Sequence, residues 1–235
     1  VRFVVKKAVA LLSGGMDSIT AAAIVKNQGY DIYALTVSYG QRHAREIESA
    51  KRLASWLQAK EHEIVDLPIS RLLKSALISP DADVTGDEKL IGKRIPPTYV
   101  PGRNTILLAI ATAWGESIGA DAIVTGVNAI DYSGYPDCGQ PFIDAFQQVI
   151  KVGTKSGVEG HPIQILAPLA RMSKADIVRE GTRLGVPFKL TWSCYKGSGK
   201  PCGVCESCLL RKKGFMEAGI PDPALVEEPA KKTKS

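Results

Sequence analysis

A parallel β-sheet covered by helices on both faces, an α/β fold, is predicted by two observations. Apolar runs of strand length alternate with amphipathic stretches of helix length, and the first apolar run ends in a glycine turn that opens into a helix. A third observation appends something to that sheet: Cys194, Cys202, Cys205 and Cys208 form a C-x7-C-x2-C-x2-C run near the end of the chain. The expected organisation is an α/β domain over residues 1–190, a four-cysteine segment over 191–223 and a disordered tail over 224–235.

Each element has its own signal. Val4 to Leu12 reads as the first strand, followed by the Ser-Gly-Gly-Met-Asp-Ser turn and a helix from Ile19 to Gln28 that Gly29 closes. Asp31 to Ser38 is the second strand, with Ile32, Ala34, Thr36 and Ser38 on one face and Tyr33, Leu35 and Val37 on the other. A helix over Ala44 to Gln58 aligns Ile47, Ala50, Leu53, Ala54 and Leu57 in one stripe, and Glu63 to Leu67 is the third strand. Residues 79–97 carry Pro80, Gly86, Gly92, Pro96 and Pro97 and read as a long functional or mobile loop. A helix from Thr105 to Ile118, a strand over Ala122 to Gly126 and a helix over Phe142 to Lys151 with Pro141 in its first turn come next. Ile163 to Pro168 is a further strand, and Ser173 with Asp176 caps a helix ending near Gly185. A last helix starts near Cys205 and runs toward Ala218.

Composition narrows the classes. The 235 residues are 45% hydrophobic, enough for a buried core, and no apolar stretch approaches the roughly 20 residues of a membrane span. Val1 to Leu12 is interrupted by Arg2, Lys6 and Lys7 and lacks a small-residue cleavage site, so a cytoplasmic protein with no membrane partner is expected. The net charge of +6 suits phosphate-bearing ligands or nucleic acid, but Lys231, Lys232 and Lys234 lie in the expected tail and leave the folded body closer to neutral. With only five cysteines in such a chain, four thiolates at this spacing read as one closed structural Zn2+ site in preference to two disulfides. An iron–sulfur cluster is the rival occupant.

Leu12, Ser13, Gly14, Gly15, Met16, Asp17, Ser18 and Ile19 span the strand–turn–helix junction. Such a junction aims free backbone N–H groups at an anion from the positive end of a helix dipole. The glycines let phosphate oxygens approach the backbone, and the Ser13 and Ser18 hydroxyls add donors. Asp17 would repel a phosphate unless a cation lay between them, which points to Mg2+ bound with the nucleotide. A kinase-type P-loop is absent: the nearest approach, Gly86 to Lys93, has one residue too many between its glycines and is followed by Arg94.

The whole Ser13 to Ser18 run resembles the pyrophosphate-binding loop of the N-type ATP pyrophosphatases, the PP-loop enzymes that split ATP into AMP and pyrophosphate. Further segments narrow the resemblance. Gln41-Arg42-His43, Val100 to Asn104, Val127 to Cys138, Ser193-Cys194-Tyr195 and Cys202 to Cys208 resemble the 7-cyano-7-deazaguanine synthase family, and the likeness runs from Ala8 to Pro223. It implies a Rossmann-like fold of the adenine nucleotide alpha hydrolase type, one zinc, and ATP, 7-carboxy-7-deazaguanine and ammonia as the molecules bound. The implied reaction adenylates the carboxylate, lets ammonia displace AMP to give an amide, then activates the amide oxygen with a second ATP to leave a nitrile. This is a step toward queuosine or archaeosine. The chemical sense is that AMP leaves readily where oxide would not.

On this reading Asp17, Ser18, Arg103 and His43 are the catalytic candidates. Arg103 beside Gly102 can grip a phosphate or the substrate carboxylate bidentately, and Arg42 and His43 follow the second strand at the ligand-binding edge. Asn104 reads either as the N-cap of its helix or as a ligand contact. Asp131, Tyr132, Ser133, Tyr135 and Asp137 fall in a loop on the same edge, where a ring can stack on the base and a carboxylate can accept from its amidine-like N–H groups. Cys138 reads as a small buried side chain; where the family commonly places an arginine after it, this chain has Gly139 and Gln140. A tRNA-modifying PP-loop enzyme and a zinc-ribbon binding module are the alternatives. The first generally carries an RNA-binding appendage, and the second leaves the ATP loop unexplained. No stable nucleic-acid binding is expected, and a homodimer is one arrangement open to the chain.

Overall fold

The computed structural model describes residues 5–40, 44–79, 82–86, 95–128, 135–196 and 199–225. Its centre is a five-stranded, all-parallel sheet in the order β3-β2-β1-β4-β5. The strands are β1 (Lys7–Leu11), β2 (Asp31–Ser38), β3 (Glu61–Asp66), β4 (Ala122–Val124) and β5 (Gln164–Leu166). The helices are α1 (Met16–Asn27), α2 (Ala44–Trp56), α3 (Arg103–Ile118), α4 (Gln140–Gly153), the single turn α5 (Lys155–Val158), α6 (Lys174–Arg183) and α7 (Glu206–Ala218).

The alternation expected along β2 divides the core as it should. Ile32 and Ala34 pack with α1, α2 and α6 on one face, while Leu35 and Val37 pack with α3 and α4 on the other. Phe215 of α7 joins the first of these cores, meeting Phe188 edge-on at 5.3 Å between ring centroids. The cysteine segment thus returns its helix to the main core.

Element ends differ from the sequence reading in informative ways. Helix α1 begins at Met16 and not at Ile19, because Gly14 at φ 84° completes the turn and Gly15 serves as N-cap. Asp17 and Ser18 therefore sit in the first turn of the helix. Helix α3 begins at Arg103 with Gly102 as its left-handed N-cap, so Asn104 is not the cap residue. The Ser173–Asp176 capping box of α6 forms as expected. Four-residue α5 has no periodicity to announce it, and β3 begins two residues and ends one residue before the apolar run. Of the expected tail, residues 226–235 lie outside the described residues, as do 80–81 and 87–94 of the long loop.

Candidate active site

Beyond the carboxyl ends of β1, β2 and β4 lies a cavity of about 230 Å³, at the place where chain connections leave the sheet in opposite directions. The Leu12 to Ser18 junction forms one wall, Thr36, Val37 and Tyr39 follow β2, and Thr125 to Asn128 follow β4. Two close approaches fix this wall. A Cβ at Gly14 would strike the Glu46 carbonyl, and one at Gly126 would lie 2.9 Å from the Ser18 backbone nitrogen. The Gly14 carbonyl accepts from the Ser49 hydroxyl at 2.8 Å and from the Trp192 N–H at 2.9 Å, so α2 and the chain before the cysteines both clamp the turn. Within it the Ser13 N–H and hydroxyl donate to Ser18 Oγ at 3.2 and 3.1 Å, and the Ser18 hydroxyl donates to the Gly15 carbonyl at 3.0 Å.

Asp17 faces this cavity with a cation beside it. Lys174 at the start of α6 donates to both carboxylate oxygens, at 3.0 and 2.8 Å, and its side chain is only 4% exposed. The N-termini of α1 and α6 therefore converge with a lysine between them, and their dipoles add to its charge. Ser173 and Asp176 read from the sequence as a cap that leaves Lys174 without a role; its signal is a lysine opening the helix after β5, at the carboxyl edge of the sheet.

Arg103 reaches the opposite wall with Asn104, Tyr135 and Cys138. The Arg103 guanidinium loses hydration there, but Tyr39 and Tyr195 hold its charge more firmly than water would. Asn104 donates its backbone N–H to Asp137 Oδ2 at 3.1 Å, and its side-chain amide to the Asp137 carbonyl at 2.8 Å and to Cys138 Sγ at 3.4 Å. Asn104 thus pins the loop that carries both residues. Asp137 Oδ1 is buried with no hydrogen-bond partner among the described residues. Tyr135 packs edge-on against Tyr99 and shares a 2.9 Å hydrogen bond with Thr98, so it is a wall as much as a stacking surface. Burial pushes the Cys138 thiol up to about 11, in keeping with a buried packing residue. Gly139 is the N-cap of α4 and Gln140 donates to Asp144, so the position after Cys138 starts a helix. Arg42, His43, Asp131, Tyr132 and Ser133 lie outside the described residues.

The ligand atoms of Cys194, Cys202, Cys205 and Cys208 all lie within 4.8 Å of one another, and no disulfide joins them. Zinc–sulfur bonds of about 2.3 Å would set tetrahedral sulfurs about 3.8 Å apart, so the tetrad could hold such an ion. Backbone N–H groups of Tyr195, Lys196, Cys202 and Cys205 point at its sulfurs over 3.2 to 3.5 Å, as thiolates require. This knot is wired to the cavity. Tyr195, between the first two cysteines, lines it, and Glu206, which follows Cys205, accepts from Thr98 at 3.3 Å. Arg211 of α7, in a buried bidentate pair with Asp222 at 2.7 and 2.8 Å, completes that side.

A parallel sheet with a glycine turn and a helix N-terminus at its carboxyl edge, a buried lysine beside it and a four-cysteine knot over the same cavity define a nucleotide-dependent α/β enzyme. The chain belongs to the family described as queuosine biosynthesis protein QueC, whose model matches residues 7–219. It is 51% identical over 225 residues to the 7-cyano-7-deazaguanine synthase of Anaeromyxobacter sp. (strain Fw109-5), covering 94% of this chain and 96% of that one. To the protein of the same name from Aromatoleum aromaticum (strain DSM 19018 / LMG 30748 / EbN1) it is 50% identical over 220 residues, covering 93% and 96%. Among solved structures it is similar in fold to a 4-thiouridine synthetase in complex with RNA and ATP, with TM-score 0.53 and 19% identity, over 94% of this chain and 52% of that one.

Proposed function

We propose that this chain converts 7-carboxy-7-deazaguanine and ammonia to 7-cyano-7-deazaguanine at the expense of ATP, as an ATP-dependent ligase of queuosine or archaeosine biosynthesis. The observation that carries the reading is the Asp17–Lys174 pair at the junction of two helix N-termini, in a family whose named relatives make this product. The Gly14 to Ser18 backbone and hydroxyls take the pyrophosphate end of ATP, and Lys174 supplies a fixed positive charge as the α–β phosphate bond breaks. Mg2+ would accompany ATP with Asp17 as its protein ligand, adding charge neutralisation to the departing pyrophosphate. Zn2+ is the ion that the four thiolates would hold, in a structural role, since they fill its shell.

For the base, Arg103 pairs with the substrate carboxylate, and Asp137 acts through the lining residue Asn104, whose backbone N–H and side-chain amide it accepts from. Tyr135 and Tyr195 frame the ring. Arg42, His43, Asp131, Tyr132 and Ser133 remain substrate-side candidates from the sequence. A free base releases few counterions, so its affinity should fall only gently between low and high salt, whereas tRNA binding should be weak and steeply salt-dependent. Parallel titrations with the free base and with unmodified tRNA test this. Tight tRNA binding with no affinity for the base would promote the tRNA-modifying alternative.

A further inference from the structure

We infer that Glu46 is the proton acceptor of the two nitrogen steps, taking a proton from bound ammonium before attack and from the amide nitrogen as the nitrile forms. The inference rests on the ligase reading above.

Glu46 stands in the first turn of α2 and lines the cavity that holds the phosphate turn and Arg103. Its backbone abuts Gly14, so its place relative to the phosphate turn is fixed. The groups sharing this cavity are Arg103 from α3, Tyr39 after β2, Tyr135 and Cys138 before α4, Tyr195 beside the cysteines, Arg211 from α7 and the Asp17–Lys174 pair. Asp17 is occupied by Lys174. Glu46 is thus the second carboxylate lining the cavity, faced by Arg103 but by no lysine among the described residues.

Loss of water raises Glu46 to about 7, and the opposing pull of Arg103 does not cancel that rise. A carboxylate serving only as counter-ion to Arg103 would be held low. One poised near neutrality can both accept a proton and release it, as a general base must.

The chemistry needs such a group. Ammonium has no lone pair, so its proton passes to the Glu46 carboxylate; the ammonia nitrogen then bonds to the carbonyl carbon of the acyl adenylate. The C–O bond to AMP breaks, AMP leaves with the electron pair, and its phosphate takes the second nitrogen proton, so that the primary amide is left neutral. In the second stage the amide oxygen bonds to the α-phosphorus of ATP and pyrophosphate leaves; of the two nitrogen protons of the adenylated amide one passes to Glu46 and the other to the departing AMP phosphate, the N–H electrons form the third C–N bond, and AMP leaves with the oxygen. Between stages Glu46 returns its proton to solvent.

The test is Glu46→Gln in the full-length protein, with nitrile formation measured against total ammonium across pH. In the parent protein the KM for total ammonium should stay level above pH about 7. In Glu46→Gln it should fall about tenfold for each unit of pH, because only free ammonia then reacts. Pyrophosphate exchange driven by 7-carboxy-7-deazaguanine should persist, and hydroxylamine, uncharged near neutrality, should still give the hydroxamate at the parent rate. An unchanged ammonium dependence, or loss of exchange and hydroxamate formation together, would overturn the assignment. Should Glu46→Gln fail to fold, Glu46→Asp keeps a carboxylate one methylene back; it should retain the level ammonium KM at a lower kcat, and a pH-dependent KM there would overturn it too. Failure of the parent protein itself to exchange pyrophosphate would instead refute the ligase reading.

Discussion

In the proposed reaction single side chains set the chemistry, and Lys174 with Asp17 is the pair on which most depends. Asp17→Asn removes the charge that lets an ammonium sit 4% exposed, so it should cost about 3–5 kcal/mol of stability as well as orders of magnitude in rate. Thermal melting beside turnover reads both; an unchanged melting temperature would mean that Lys174 finds another counter-charge. Glu46 gives the opposite sign. Its ordinary value near 4.5 rises to about 7 in the folded state, so the fold favours the protonated acid. Stability from this group is full below 4.5 and is lost as pH rises through about 7. Glu46→Gln should therefore melt higher than the parent above pH about 7, the gap closing toward 4.5. A gap of the other sign would mean that ionised Glu46 stabilises the fold. Neither Lys174 nor Glu46 is legible in the sequence as part of the site. Lys174 lay beside a capping box that explained its neighbours, and Glu46 is one acid among twenty-four until tertiary structure takes its water away.

Secondary elements were far easier to read than the contacts between them. The β2 span was legible to the residue because Asp31–Ser38 alternates between two buried faces. The capping box at Ser173 is a local pattern and was equally plain. Helix starts were missed where the cap is a glycine, as at Gly15 and Gly102, since a glycine carries no side-chain signal for the first turn. The role of Asn104 was missed for another reason: its partner Asp137 lies 33 residues away and only the fold brings them together. At this scale α7 is the informative element. Phe215 is 2% exposed and packs on Phe188, so Phe215→Ala should cost about 3–5 kcal/mol of global stability in one cooperative transition. A separate early transition confined to the cysteine segment, with the sheet unaffected, would show the knot to be an independent appendage.

Across the whole molecule, the knot and the sheet enclose one cavity between them. Tyr195, Thr98 and Glu206 run from the cysteines to Tyr135, so removal of a metal held by the four thiolates should loosen the wall proposed to bind the base as well as α7. Chelation is expected to lower the melting temperature and weaken the free base more than ATP, measured by parallel titrations; equal affinity for the base before and after chelation would mean that the knot does not shape the cavity. What that cavity makes is tested most directly by incubating the protein with ATP, 7-carboxy-7-deazaguanine and ammonium, and following nucleotides and base by mass spectrometry. Conversion of the acid through the primary amide to the nitrile, with AMP and pyrophosphate as the nucleotide products, is the expected result. ADP and orthophosphate in their place, or an unaltered base beside a modified tRNA, would contradict it.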